Sequence, residues 1–350
     1  MSVETRLYVG SERGLSIWRS KNGAWDQESE ETLDTGAFWR IEGSHARPEQ
    51  VFVAVSGSGL FRTDDAGKNW SKVLDRDVRS VTADPSDSRV IYAGTEPIHL
   101  YRSEDSGDHW EDLSSLQDMP EEVRKEWWFP VPPNIAHVLN IFVHPDDPRI
   151  IYLCLEHGGV VRSLDRGATW EDVSQGIDYV DMHMISSLPH RLDRYYVSSA
   201  RGFFTSDDPS KGWVRAENGF TRDYFHDFLF LPPTTAGGNP TMLAATADKS
   251  PGSWSRPEHA QAAVFRSFDC GESWHQVGEG LPDRLEPAIW GLTGHPADPN
   301  TAFVGLGKLS MRTPTENGPG TVLTTRDRGD SWDALPVQVP SVRALWAAAE

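Results

Sequence analysis

The apolar positions of this chain fall in short runs, and each run is bounded by turn-forming residues. Four of the runs follow a proline-containing turn, and they are Val90-Ile91-Tyr92, Ile150-Ile151-Tyr152, Tyr195-Tyr196-Val197 and Ala302-Phe303-Val304. The turns before them include Ala83-Asp84-Pro85 and His295-Pro296. Short runs rich in β-branched and aromatic residues between turns predict β-strands.

A second pattern, Ser/Thr-x-Asp-x-Gly-x-x-Trp, follows these runs, and we refer to it as the repeat turn. Full copies lie at Thr63–Trp70, Ser103–Trp110, Ser163–Trp170, Ser267–Trp274 and Thr325–Trp332. Two copies are degenerate: Ser206–Trp213 has Ser210 in place of glycine, and Ser20–Trp25 is shortened around Asn22-Gly23. Glycine permits a positive φ, the aspartate can accept backbone N–H groups, and the tryptophan anchors the next strand. We therefore expect these aspartates to be structural rather than catalytic.

The two patterns together define a repeating unit of four antiparallel strands. Seven such units predict an all-β fold, a seven-bladed β-propeller that forms one domain over residues 1–350. The C-terminal segment Ser341–Leu345 resembles the first strand of a unit, as in Val78–Val81. We expect the first blade to be shared between about residues 1–28 and 337–350, which closes the fold by pairing the N- and C-terminal strands.

Composition narrows the partners and the compartment. The formal net charge of −19 disfavours nucleic acid and anionic membranes as partners. The chain has no apolar run long enough to span a bilayer, and its first residues lack the features of a secretory signal. Two cysteines are too few for a disulfide framework. We expect a cytoplasmic protein.

The repeat turns resemble the Asp-box, or bacterial neuraminidase, repeats over nearly the whole chain. That superfamily includes sialidases, xyloglucanases, sortilin-type receptors and a photosystem II assembly factor, so the resemblance implies the propeller fold and leaves the function open. Sialidases usually have six blades and an Arg-Ile-Pro motif, which this chain lacks. No sialidase residue role is carried over.

Alignment of the first strands on their proline turns places polar residues at one equivalent position. That position holds Arg343, Arg40, Arg79, Leu139, His183, His226 and Trp290 in blade order, and the position two residues earlier holds Ser341, Phe38, Asp77, His137, Asp181, Tyr224 and Ala288. Arg40, Arg79 and Arg343 are predicted to bind a carboxylate, sulfate or phosphate. The alternative is internal pairing, for example of Arg79 with Asp77.

The histidines suggest a metal site. His137, His183 and His226 come from neighbouring first strands, and His157 lies on a short loop of the blade that carries His137. Such a set could hold Zn, Fe, Cu or Mn, whereas the alternative is that the histidines are structural. His137, Asp181, Tyr224 and Glu156 are the candidate catalytic residues. No organic-cofactor motif is present.

Three long insertions, at residues 114–135, 247–262 and 306–320, are candidate functional loops. The first contains Trp127, Trp128 and Phe129, and the two tryptophans and Trp290 are predicted to contact a substrate or partner.

These features predict a hydrolase or lyase that acts on a small anionic or carbohydrate-like substrate, and the clustered histidines extend this prediction to a metal-assisted reaction. Two alternatives stay open: a non-catalytic scaffold that binds a protein, as resemblance to assembly-factor propellers implies, and a metal-free, sialidase-like glycosidase. An enzyme predicts histidine and carboxylate groups that converge in one site, whereas a scaffold predicts a broad exposed patch.

Overall fold

The computed structural model describes residues 4–33, 35–44, 46–189, 191–254, 259–308 and 319–349. It contains seven four-stranded antiparallel sheets, and each sheet is one blade, so the predicted seven-bladed β-propeller is confirmed. The strands fall into two compact units. The first unit comprises Met1–Phe38, Ala200–Gly202 and Ala216–Glu350, and the second comprises Trp39–Ser199 and Phe203–Arg215. The single domain over residues 1–350 stays a prediction.

The first unit holds three sheets. Their strands are β1 (Thr5–Gly10), β2 (Leu15–Lys21), β3 (Ala24–Thr32) and β28 (Ala344–Ala349); β20 (Tyr224–Leu231), β21 (Thr241–Ala247), β22 (Ala263–Ser267) and β23 (His275–Val277); and β24 (Ala288–Gly294), β25 (Ala302–Gly307), β26 (Pro319–Thr325) and β27 (Asp333–Pro340). A 3-10 helix, Pro251–Ser253, lies between β21 and β22.

The second unit holds four sheets. Their strands are β4 (Phe38–Ser44), β5 (Arg47–Val55), β6 (Gly59–Thr63) and β7 (Ser71–Leu74); β8 (Val78–Ala83), β9 (Ile91–Thr95), β10 (Leu100–Ser103) and β11 (Glu111–Asp112); β12 (His137–Val143), β13 (Ile151–Glu156), β14 (Gly159–Ser163) and β15 (Glu171–Asp172); and β16 (Met182–Leu188), β17 (Arg191–Ser199), β18 (Gly202–Ser206) and β19 (Val214–Arg215). A 3-10 helix, Pro209–Lys211, joins β18 to β19.

One sheet is completed by both ends of the chain. Strand β28 pairs antiparallel with β1, in a register that runs from Thr5 opposite Ala349 to Gly10 opposite Ala344. The predicted sharing of the first blade between the chain ends is therefore confirmed. The side chains of Leu7 and Leu345 are both buried in the core beside this sheet.

Local hydrogen bonds explain why the repeat turn recurs. In one copy the Ser163 hydroxyl donates to Asp165 Oδ1 at 2.8 Å and accepts the Gly167 N–H at 2.7 Å, while Asp165 Oδ1 accepts the Thr169 N–H at 2.8 Å. The copies that begin at Thr63, Ser103, Ser267 and Thr325 make the same contacts. The predicted structural role of the aspartate is thus explained by its bonds within the turn.

The two degenerate copies fold differently. Asn22 and Gly23 have positive φ angles of 51° and 84° and form a two-residue hairpin in which Lys21 pairs with Ala24. In the copy from Ser206 to Trp213, Gly212 has a φ of 104° and its carbonyl accepts the Ser206 hydroxyl at 2.7 Å. The glycine therefore stands directly before the tryptophan.

The first long insertion has secondary structure of its own. It contains a 3-10 helix, Ser114–Asp118, and the helix α1, Glu121–Arg124. Parts of the other two insertions, residues 255–258 and 309–318, lie outside the described residues. Among the helices that the structure describes, none has the length and apolar character needed to cross a membrane.

Candidate functional site

A β-bulge occurs at the same place in the first strand of five sheets. The pairing register skips one residue there, and the skipped residues are Arg79, Leu139, His183, His226 and Trp290. These are the residues that the alignment of proline turns placed at one position. A bulge turns a side chain out of the regular alternation of a strand, and bulges are frequent beside functional sites.

In the second unit, polar side chains from three adjacent sheets meet in one network, which we call the polar cluster. Its members are Asp77, Arg79, Glu96, His137, Glu156, His157, Asp181 and His183. His137, His183 and Asp181 are only 2%, 4% and 7% exposed. Charged and polar groups buried to this extent need partners, and the cluster supplies them.

Arg79 is fixed at one end of the cluster by two carboxylates. Its Nη2 atom lies 2.9 Å from Asp77 Oδ2 and 2.9 Å from Glu96 Oε2, and its guanidinium carbon lies 4.5 Å from the centre of a Trp39 ring. Burial by itself raises the pKa of Glu96, whereas the hydrogen bond with His137 and the charge of Arg79 lower it. The lowering effects are larger, so the pKa of Glu96 is below its ordinary value. In this structure Arg79 therefore pairs internally with Asp77 and Glu96, which is the alternative to anion binding that the sequence left open.

His137 lies between two carboxylates. Its Nδ1 atom is 3.2 Å from Glu96 Oε2, and its Nε2 atom contacts Glu156 Oε2. Burial lowers the pKa of His137, but the charge of Glu156 and the hydrogen bonds with Glu156 and Glu96 outweigh burial and raise it to about 9. The ring is therefore a protonated imidazolium at neutral pH. In this arrangement His137 is the ion-pair partner of Glu96 and Glu156.

Glu156, Asp181 and His183 form a group that could hold a metal ion. One ligand atom of each lies within 4.8 Å of the ligand atoms of the other two. Asp181 also reaches two imidazoles, with Oδ2 3.3 Å from His157 Nε2 and Oδ1 3.5 Å from His183 Nε2. Burial raises the pKa of Asp181, but its hydrogen bonds with these histidines lower it well below the ordinary range, so the carboxyl is ionised.

Aromatic side chains cover the histidines. The Phe129 ring centre lies 5.6 Å from that of His137 and 5.3 Å from that of His157, and Tyr179 packs edge-on against His157 at 5.8 Å. Of the predicted contact residues, Trp127 packs against the apolar core, whereas Trp128 is 55% exposed. The first insertion therefore contributes Phe129 to the cluster.

The other predicted site residues belong elsewhere. Arg343, Trp290, His226 and Tyr224 lie in the first unit, where the Arg343 guanidinium stacks over Trp290 at 4.2 Å and pairs with Glu12 at 3.3 Å. His226 and Trp254 pack on the same Trp290 ring, and Tyr224 packs on Trp254. Arg40 lies in the second unit, 3.7 Å from Glu42. Each of the three predicted anion-binding arginines thus contacts a carboxylate of its own unit.

Sequence reasoning missed Glu96 and Glu12, although a signal for them exists. Each glutamate follows the second strand of its sheet and stands four residues after a buried tyrosine of that strand: Glu96 after Tyr92, and Glu12 after Tyr8. Glu156 follows Tyr152 at the same spacing. The recurrence of Tyr-x-x-x-Glu in three blades would have marked these carboxylates as equivalent.

No family model matches the chain. It is 25% identical over 211 residues to an oligoxyloglucan-reducing end-specific xyloglucanase of Emericella nidulans. The matched region covers 58% of this chain and 24% of that protein. The GH74 enzyme of Niastella koreensis superposes with a TM-score of 0.63 at 15% identity, over 85% of this chain and 45% of that chain. A YCF48 protein bound to a peptide superposes with a TM-score of 0.57 at 15% identity, over 91% of this chain and 88% of that chain.

The structural similarities support the propeller fold, at identities too low to show a shared function. The chain spans about a quarter of the length of the curated relatives that it matches. Among the proteins with this kind of propeller are carbohydrate hydrolases and a peptide-binding protein.

Proposed function

We propose that the protein is a metal-assisted hydrolase or lyase that acts on a carbohydrate-like substrate at the polar cluster. The observation that carries this proposal is the meeting of Glu156, Asp181 and His183, whose ligand atoms lie within 4.8 Å of one another in a buried setting. As part of the same proposal, the repeat turns assign the chain to the Asp-box propellers.

The donor set fits a divalent transition metal. Two carboxylates and one imidazole are ligands that Zn, Mn and Fe accept, and metal–ligand distances of about 2.0 to 2.3 Å require the three groups to move slightly closer together. A divalent ion at this place would supply Lewis-acid activation of a substrate oxygen. His157 holds the Asp181 carboxylate from the other side, as residues around a metal ligand often do. Of the four predicted ligands, His183 belongs to the group, and ligation by His137, His157 and His226 stays a prediction.

With Glu156 and Asp181 as metal ligands, the proton-transfer roles of His137, Glu156 and Asp181 stay predictions. His137 is 2% exposed and both ring nitrogens face carboxylates, so it acts through Glu156 by fixing that side chain and keeping a proton beside it. Glu96 and Arg79 hold His137 in turn. This chain of contacts gives the buried histidine a role in positioning.

Ion pairing favours the carbohydrate-like substrate over the anionic one. An anion bound by Arg79 would have to displace Asp77 and Glu96, and one bound by Arg343 would have to displace Glu12. A neutral sugar needs no such exchange. The anion-binding role of Arg40, Arg79 and Arg343, the contact roles of Trp127, Trp128 and Trp290, and the roles of Tyr224 and His226 stay predictions.

One observation favours the second candidate function, a binding scaffold. Trp128 exposes 55% of its surface on the first insertion, and exposed tryptophan is common at protein-binding sites. A scaffold would use this surface without need of a metal at the polar cluster.

Metal content separates the two functions. We expect about one equivalent of metal per chain in protein purified without a histidine tag, and loss of that metal in His183→Ala. His275→Ala is the control, because His275 is an exposed histidine on β23, outside the polar cluster, and its loss should leave the metal unchanged. Hydrolysis of 4-nitrophenyl glycosides should follow the metal content. A metal-free wild type, after incubation with Zn²⁺ or Mn²⁺, contradicts the proposal.

A further inference from the structure

We propose that residues 129–135 form a flap whose Phe129 side chain closes the polar cluster in the free protein and swings out to admit a ligand. The inference deepens the proposed function, because the flap would control entry to the same site. Its physical basis is independent of the metal: an aromatic ring seated on two imidazoles, carried by a segment with few ties to the rest of the fold.

The segment is anchored immediately before Phe129. Trp127 packs against the apolar core, and a Cβ atom placed on Gly158 would lie 3.1 Å from Trp127 Cδ1, so the indole ring rests close to the backbone there. The Trp128 N–H donates to the His157 carbonyl at 3.3 Å. These contacts fix one end of the segment, and strand β12, which begins at His137, fixes the other.

Between these anchors the described hydrogen bonds of residues 129–135 stay within the segment. The Asn134 N–H donates to the Val131 carbonyl at 2.9 Å, and Asn134 Nδ2 donates to the Phe129 carbonyl at 2.9 Å. A segment closed by its own bonds can move as a body without breaking bonds to neighbouring strands. Such segments open with a low free energy.

Phe129 is what holds the segment over the cluster. Its ring centre lies 5.3 Å from that of His157 and 5.6 Å from that of His137, and Pro130, Pro132 and Pro133 of the same segment are exposed. His157 keeps 15% of its side chain exposed beside this ring. Removal of the ring would therefore open a path first to His157 and then to Asp181.

Chemical labelling of His157 tests the flap with the full-length protein. Diethyl pyrocarbonate transfers an ethoxycarbonyl group to an accessible neutral imidazole, and mass spectrometry locates the product. We expect Phe129→Ala to speed the labelling of His157 by roughly tenfold, because the accessible state becomes dominant. Trp128→Ala is the matched control, since Trp128 is already exposed, and it should change the rate by less than about twofold.

Hydrogen exchange of the wild-type protein tests the same proposal without a substitution. Three of the seven residues are prolines without an N–H, so the readout is the amides of Phe129, Val131, Asn134 and Ile135. We expect these amides to exchange well before those of strands β12 and β13. Equal labelling of His157 in the wild type and Phe129→Ala, or exchange of the flap as slow as that of the strands, would overturn the proposal. Both readouts are independent of bound metal, so a protein that shows the flap but holds no metal refutes only the proposed function.

Discussion

At the residue scale, His137 is defined by two carboxylates in the structure, and its predicted role as a metal ligand stays a prediction. Its two ring nitrogens face Glu96 and Glu156, which come from different sheets and are distant in sequence. The alignment of first strands grouped His137, Asp181 and His183 because all three follow from one repeat; in the structure Glu156 contacts His137 and lies beside Asp181 and His183. The partner carboxylate Glu96 was missed because its signal is not near His137 in sequence: it lies in the Tyr-x-x-x-Glu spacing that Glu96 shares with Glu12 and Glu156.

The raised pKa of His137 predicts a stability change in mild alkali. A histidine whose pKa is about 9 in the folded state and 6.5 unfolded contributes stability that is fully present below pH 6.5. That contribution is lost as the pH rises through about 9. We expect the free energy of unfolding, measured by urea denaturation, to fall between these two values.

His137→Gln provides the comparison, because glutamine keeps polar contacts but does not titrate. The variant should be less stable at pH 6 and should lose most of the decline between pH 6.5 and 9. An identical decline in the two proteins would show that His137 is not the titrating group.

At the scale of the element, the repeat turn was predictable because its chemistry is local. Its hydroxyl, carboxylate and glycine all interact within a few residues, so the sequence pattern carries the geometry. One detail was missed: the residue before the glycine also has a positive φ, as in Arg166 at 60° before Gly167 at 87°. The β-bulges were missed as well, although their positions were found, since a bulge depends on the pairing partner in the next strand.

Gly167 offers a direct test of the repeat turn. Its positive φ is unfavourable for alanine, and an added Cβ would lie 2.8 Å from Leu113 Cδ1. We expect Gly167→Ala to lower the free energy of unfolding by about 1 to 2 kcal/mol, measured by urea denaturation.

Gly252→Ala is the control for that substitution, because Gly252 has open space around its Cα. It should change the free energy of unfolding by less than about 0.5 kcal/mol. Equal effects of the two substitutions would mean that the turn geometry contributes little.

At the scale of the whole molecule, closure of the first blade is the feature that ties the chain ends together. The prediction from the sequence succeeded because the C-terminal segment repeats the pattern of a first strand. Function was less accessible, since the same propeller occurs in a carbohydrate hydrolase and in a peptide-binding protein. The three arginines illustrate the limit: residue type suggested an anion site, whereas Arg40 pairs with Glu42, Arg79 with Asp77 and Glu96, and Arg343 with Glu12. Of these acids, Glu96 and Glu12 are distant in sequence from their arginines.

A chain that ends at Arg343 tests the closure. Its loss of β28 would remove the partner of β1 over six residue pairs and uncover the apolar side chains around Leu345. We expect a lower urea midpoint and self-association through the exposed edge, measured by circular dichroism and size-exclusion chromatography. A monomer with an unchanged midpoint would show that β28 is dispensable.

The central claim, that the polar cluster binds a divalent metal, is tested most directly by anomalous diffraction from crystals grown with Zn²⁺ or Mn²⁺. The account predicts one strong peak about 2.0 to 2.3 Å from ligand atoms of Glu156, Asp181 and His183. A map without a peak at these side chains, from crystals grown with millimolar Zn²⁺ or Mn²⁺, would contradict it.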